Sequence, residues 1–410
     1  LTVLPLIFIL IFAPQADFQA RFVNGLKALN ERDLPQARAN LIAASKLQPE
    51  NPRVQVALAQ TYWRLNEPAP AAAAALKAER LGASDPLTLR TLAVYYAEQK
   101  KLAKAGDIEL MCAAIDAQDK AAITRAMTDY LQAGEPKKAI DAGLSAKDRQ
   151  DRADLRNLLG KAYEADGQFV KTLPELQAAI RLKPDDESYY FDLTQVLLSH
   201  FNFEAAIRVG EEARRRFPGS AQAALAVGVA YYGQNRQPAA IQAFLDAIDL
   251  DPAHEQPYFF LARLLNQANE KLPAIGKKFS DYERANPASY LGYFLHAKLL
   301  LAGSGDPEQT EELLRKSVAL DGAYWESHYL LGVVLTNRHA YAEAEKQFRR
   351  SVELNPKDPA IHYRLFRTLA ALGRTREAEA ELVLQRKISA EYQADLDRST
   401  GEIKRLDLSR

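Results

Sequence analysis

Cys112 is the single cysteine of the chain, and a thiolate beside a base is a nucleophile. The histidines are His200, His254, His296, His328, His339 and His362. No two stand four residues apart, the spacing that puts two metal ligands on one helix face. Gly303-Ser304-Gly305-Asp306 is glycine-rich. It lacks the lysine and the strand-to-helix setting of a phosphate cradle. The carboxylates are scattered, and no pair is set for acid–base work. No catalytic residue, cofactor site or metal site is expected, so the chemistry to look for is recognition.

The composition narrows what can be recognised. Lys+Arg and Asp+Glu both number 53 among 410 residues, so the net charge is zero. No global field steers the chain to nucleic acid or anionic lipid. Hydrophobic residues make up 48% and charged residues 26%, enough to fold and to stay in solution. One cysteine allows no internal disulfide.

The elements that must position any site are legible in a period. Gly160, Thr194, Gly228, Ala262, Ala297 and Gly332 are spaced 34, 34, 34, 35 and 35 apart. Pro184, Pro218, Pro252, Pro287 and Pro356 keep the same beat, with Gly322 taking one turn. Such a period marks a solenoid of helix pairs. In 221–254, Val227, Gly228 and Tyr231 fall on one face of a first helix. Ala240, Phe244 and Ala247 fall on one face of a second. Small residues at places 8, 20 and 27 allow close approach, and large ones at 11 and 24 fill the space beside them. Gly233 to Arg236 makes the turn, and the proline at place 32 ends the second helix.

The places recur as Leu159, Gly160, Tyr163, Leu176, Ala179 and Pro184, and as Leu331, Gly332, Leu335, Ala344, Phe348 and Pro356. These residues resemble the tetratricopeptide (TPR) repeat, a helix–turn–helix unit of 34 residues. The family's common Trp at place 4 is missing; Ala224, Tyr258, Tyr293, His328 and His362 stand there. The resemblance implies an all-α fold: an α-solenoid superhelix of antiparallel helix pairs, with about 10–11 repeats.

Extending the frame starts repeats near 18, 52, 86, 120, 153, 187, 221, 255, 290, 325 and 359. We read 18–151 as N-terminal repeats, degenerate at 98–152, where Met127 takes the small place 8. A bend or flexible joint would fall there. We read 153–392 as C-terminal repeats and 389–410 as a capping helix with Leu396, Ile403 and Leu406 on one side. Cys112 falls at place 27, where other repeats carry alanine, and is expected to be a packing residue. His328 and His362, at place 4, are expected to be packed imidazoles.

Residues 1–16 differ. Leu1 to Phe12 is apolar apart from Thr2, and Ala13-Pro14-Gln15-Ala16 follows. Twelve residues are too short to span a bilayer as a helix but fit a secretory h-region followed by small residues. A positive n-region and an initiator Met are missing. The readings are a signal or anchor, with a periplasmic or membrane-tethered bacterial protein, and a packed first helix in a cytoplasmic one.

The resemblance also says where a partner would lie. First helices line the concave face of a TPR array, and places 2, 5, 9 and 12 project from it. Place 5 gives Phe191, Leu225, Phe259, Phe294, Tyr329 and Tyr363. Place 9 in the last four repeats gives Arg263, Lys298, Val333 and Arg367, and Tyr232 and Asn266 stand at place 12. Across all repeats the groove places carry six basic residues (Arg53, Arg90, Lys161, Arg263, Lys298, Arg367) and three acidic ones (Asp154, Glu164, Glu326). Such an aromatic ladder with cations suits a peptide or protein partner carrying acidic groups. The other reading is that place 5 packs neighbouring first helices together. The leading expectation is a non-catalytic binding scaffold, in envelope assembly if exported. The alternative is a spacer acting by self-association, and the remote one an enzyme accessory subunit.

Overall fold

The computed structural model describes residues 4–303 and 305–407, with side chains over 15–303 and 305–391. The described residues form helices joined by short turns, and no strand occurs among them. First and second helices alternate along the chain, as in Ala221–Gly233 followed by Gln237–Leu250, and Trp325–Asn337 followed by Tyr341–Leu354. The fold is the all-α helix-pair solenoid expected from the period. Its contacts divide the chain into segments 1–192 and 193–410. The cut falls inside the helix Glu187–Ser199, one repeat beyond the 151/153 boundary read from the sequence.

Each helix pair is held by complementary size. A Cβ built on Gly228 would lie 2.6 Å from the Phe244 ring, and one on Gly332 would lie 2.7 Å from Phe348. Place 8 is therefore small because place 24 occupies its space. The degenerate repeat 120–152 keeps the fit by exchanging the roles. Met127 is large at place 8, and Gly143 is small at place 24, where a Cβ would meet Met127 Cε at 2.7 Å. Its second helix is nonetheless short, Pro136–Ser145, and a 3₁₀ turn follows at Arg149–Asp151.

The turn between paired helices has its own signature. All ten positive-φ residues among the described ones stand at place 15: Arg32, Asn66, Lys100, Gly134, Gly167, Phe201, Asn235, Asn269, His339 and Gly373. A left-handed residue just past a helix lets the next N–H reach back to the last turn. Arg236 N donates to the Tyr231 carbonyl at 2.9 Å, Ala340 N to Leu335 at 2.9 Å and Arg374 N to Leu369 at 3.0 Å, in these repeats from place 16 to place 11. Many helix starts carry proline in the first turn, behind caps such as Asn51, Asp85, Asp306 and Asp358 whose side chains accept backbone N–H groups.

In five repeats place 4, where the family's tryptophan is missing, carries a polar device instead. Gln55 Nε2 donates to the Pro49 carbonyl at 3.1 Å, Tyr258 Oη to Pro252 at 3.0 Å and Tyr293 Oη to Pro287 at 3.2 Å. His328 Nε2 donates to the Gly322 carbonyl at 3.2 Å, and His362 Nε2 to Pro356 at 3.0 Å. Each ties a first helix to the carbonyl six residues back, in the connection from the preceding repeat. Both imidazoles are buried, as expected of packed residues.

Three features depart from the frame. The helix Gln256–Arg263 has 8 residues where its counterparts have about 13. Two 3₁₀ turns, Leu265–Gln267 and Asn269–Lys271, take the place of its last turns before the second helix Leu272–Ala285, through asparagines that favour turns over helix interiors. The C-terminal tail is not a separate capping helix. It continues the last second helix without a break, as Thr375–Asp407, because Ala390 and not proline stands at place 32. The proposed apolar side of that tail, Leu396, Ile403 and Leu406, lies outside the described side chains. At the other end, the first helix runs Leu4–Asn30, and the burial of the apolar run before Gln15 lies outside the described residues. No helix among the described residues is long and apolar enough to cross a membrane.

Candidate functional site

The place-5 column lies on the first helices, but its members do not share one environment. Phe191, in segment 1–192, is half-buried. The rest belong to segment 193–410. Leu225 is buried, Phe259 and Tyr329 are half-buried, and Tyr363 is 43% exposed. Phe294 is completely buried. It takes the packing role considered for place 5 and is not an open groove residue. Tyr232, at place 12, is 38% exposed and meets Phe260 edge-on at 5.6 Å.

The residue that separates them was not read from the sequence. Tyr324 is the last residue of the 35-residue repeat 290–324, just before the helix Trp325–Asn337. Its ring lies 5.0 Å from Phe294, 4.8 Å from Tyr290 and 6.1 Å from Phe259. Its hydroxyl donates to Glu326 Oε2 at 3.0 Å. Burial is the main reason its phenol is pushed far above the usual range. The chain thus covers the middle of its own aromatic column. The one-residue excess of the 35-residue spacing was the available signal.

The cations sort just as unevenly. Arg53 makes a two-point pair with Asp85, both bonds at 2.9 Å. Arg90 bonds Asp119 at 2.7 Å, and Lys161 bonds Asp192 at 3.3 Å. Lys298 lies over the Phe294 ring at 5.4 Å and bonds Glu326 at 2.8 Å. Each is matched to a carboxylate about one repeat away, so the basic bias counted along the groove places is largely neutralised. Arg263 and Arg367 are exposed and make no hydrogen bond or ion pair among the described residues. Arg263 stands four residues after Phe259, and Arg367 four after Tyr363, one turn along the same helix face.

Charge matching between neighbours extends beyond the groove. Glu311 receives Arg315 at 2.8 Å and Arg338 at 2.5 Å, while Arg315 also reaches Glu343 at 2.7 Å. One period later Glu345 receives Arg349 at 2.8 Å and Arg374 at 2.5 Å, and Arg349 reaches Glu377 at 2.9 Å. The equality of basic and acidic residues has its structural counterpart in these pairs.

The single cysteine is a packing residue. Cys112 is buried, and its Sγ lies 3.7 Å from the Pro86 carbonyl that opens the same repeat. Ser351 Oγ donates to Trp325 O in the corresponding way at 3.1 Å. Burial raises the thiol's pKa, the opposite of what a nucleophile needs. No group of three or more His, Cys, Asp or Glu side chains that could hold a metal occurs among the described residues.

Comparison with known proteins agrees with this geometry. A tetratricopeptide-repeat family model matches residues 22–86, 191–255 and 299–359, and a second of the same description matches 335–394. Together they cover more than half of the chain. The chain is a tetratricopeptide-repeat protein. No curated protein sequence matches this TPR chain. Among solved structures it is similar to yeast Tom70, at 14% identity and TM-score 0.46 over 96% of each chain. It is also similar to the Cut9–Hcn1 hetero-tetramer of the APC/C, at 16% identity and TM-score 0.41 over 93% of this chain and 90% of that one. A third is YrrB, a TPR protein with an unusual peptide-binding site, at 22% identity and TM-score 0.35 over 45% of this chain and 95% of that one.

Proposed function

We propose that this TPR protein is a non-catalytic scaffold that binds a peptide or protein partner along the first-helix face of segment 193–410. The observation that carries the reading is the pair of arginines without a carboxylate partner among the described residues, Arg263 and Arg367, each one turn from a groove-place aromatic. Other groove-place cations are paired with acids of the chain itself. Guanidinium groups held open beside rings favour acidic side chains or a terminal carboxylate on the partner. Tyr232 and Tyr363 supply apolar area at small entropic cost. Tyr324 divides the face, so the partner engages two patches and not a continuous ladder.

A displayed library of random peptides, selected on the full chain, tests this. Binders should be enriched in Asp and Glu. The Arg263→Glu/Arg367→Glu variant should bind them at least ten-fold more weakly, roughly 1.4 kcal/mol, with an unchanged helical circular dichroism spectrum. Binders without acidic enrichment, or undiminished on the variant, would sink the reading.

The apolar run 1–12 followed by small residues supports export, which would place the partner among envelope proteins. Sequencing the mature N-terminus of the native protein from fractionated cells tests that; a start near Leu1 in the cytoplasm would exclude it.

A further inference from the structure

A pocket of about 250 Å³ opens between the helices Pro86–Glu98 and Ala121–Gln132, both in segment 1–192. Val94, Ala97, Thr124 and Thr128 line it and stand at groove places 9, 12, 5 and 9 of their repeats. It is therefore on the face where a TPR array meets a partner. It is smaller than the roughly 300–1,000 Å³ of cofactor sites, and suits one long side chain.

Its walls divide by chemistry. Ala93, Val94 and Ala97 make one apolar wall, with Val94 48% exposed. The polar groups opposite are committed, with one exception. Arg125 makes two bonds to Glu109, at 2.9 and 2.8 Å, and two to Asp119, at 3.3 and 2.6 Å. Glu109 is itself only 3% exposed. Thr124 Oγ donates to Asp154 at 2.8 Å, and Thr128 Oγ to the Thr124 carbonyl at 2.9 Å. The Asp129 carboxylate makes no hydrogen bond or ion pair among the described residues, yet it lines the pocket.

We infer that this pocket seats a basic side chain, lysine or arginine, of a partner peptide, its aliphatic stem on Ala93, Val94 and Ala97 and its cation on the Asp129 carboxylate. The inference rests on the peptide-binding reading for the nature of the ligand, but on residues of the other segment. Long cationic side chains cover apolar surface with their stems while the head finds a charge. The carboxylate is half-desolvated with no counter-ion of its own, and a cation entering from outside supplies one. Burial first, and then the negative charge of Glu109, raise its pKa to about 6. The charges around it are Glu109, Asp119 and Arg125, with the Arg152–Asp154 pair on the next first helix. The wall from Pro86–Glu98 contributes only apolar groups to the pocket.

The test uses the full chain, methyl-labelled at valine, and acetylated, amidated pentapeptides Ala-Ala-X-Ala-Ala at millimolar concentration. With X as lysine or arginine, the Val94 methyl resonances should shift saturably at pH 7.5. With X as norleucine or glutamate they should not. The Asp129→Asn variant should weaken binding at least ten-fold, and binding to the native chain should weaken as the pH falls through about 6. Absence of a saturable shift, an equal response to norleucine, or undiminished binding by Asp129→Asn would overturn the proposal. A thermal melt shows that the variant is folded. Binding of acidic peptides through Arg263 and Arg367 is scored separately, so either site can fail without the other.

Discussion

The ring of Tyr324 stands at 86° to that of Phe294, with centroids 5.0 Å apart. An aromatic from the connection before one first helix thereby seals the place-5 aromatic of the preceding repeat. The two rings belong to the core cluster and its margin, and the exposed aromatics lie on either side.

That relationship separates two kinds of substitution. Phe294→Ala should cost about 3–5 kcal/mol, the range for emptying a buried aromatic site. Tyr232→Ala and Tyr363→Ala, at exposed rings, should each stay within about 0.5 kcal/mol while weakening partner binding. Urea unfolding followed by far-ultraviolet circular dichroism checks all three. A mild effect for Phe294→Ala would mean that the ring is not packed as described.

The place-15 turns predict a gain. Lys100 has φ 59° and Phe201 has φ 56°, conformations that cost a side-chain-bearing residue about 1–2 kcal/mol. Lys100→Gly should raise the melting temperature, by an amount worth roughly 0.5–1 kcal/mol after the added freedom of the unfolded chain is subtracted. Gly373→Val, at φ 75° with open space around it, should lower it. Scanning calorimetry decides, and a fall for Lys100→Gly would contradict the shared turn geometry.

Cys112 should behave as a packing residue. Cys112→Ser keeps a donor for the Pro86 carbonyl, as Ser351 does for Trp325, and should change stability by no more than about 1 kcal/mol. Cys112→Asp buries an unpaired charge and should unfold its repeat. The native thiol should resist Ellman's reagent until denaturant is added. Fast native labelling would refute the burial.

Two carboxylates give opposite pH signs. Arg53 and Thr88 hold the Asp85 carboxyl down at about 2. Its contribution is complete above the unfolded value near 4 and is lost as the pH falls toward 2. Arg53→Ala should flatten the stability curve over that window. Asp129 is raised to about 6 by burial, so it favours the folded state below pH 4 and loses that contribution as the pH rises through 6. Asp129→Asn should therefore match the native chain at pH 4 and melt higher at pH 8. Melting curves at several pH values test both, and a native chain that outlasts Asp129→Asn at pH 8 would refute the account of its burial.

Much of the helix packing was legible in the sequence. Gly228 against Phe244 is a relation of size at fixed places, and both places repeat. The identity of Cys112 as a packing residue followed from the same frame. The turn at place 15 was harder to see, because arginine, lysine, phenylalanine and histidine stand there in four of the ten cases, and glycine or asparagine in the other six. Only the backbone shows that they share one conformation. The exchange between Met127 and Gly143 looked like degeneracy because each residue was judged at its own place.

The sequence by itself determined the helix pair, its period and the side of each helix that packs, because these depend on neighbours within one repeat. Tertiary structure alone decided which groove residues are available. Lys298 is taken by Glu326, Arg53 by Asp85, and Phe294 by Tyr324, each across roughly one repeat. Arg263, Arg367 and Asp129 make no such bond among the described residues. Such matches depend on how one helix pair stacks on the next, and a residue's place number carries no record of whether a partner stands opposite it.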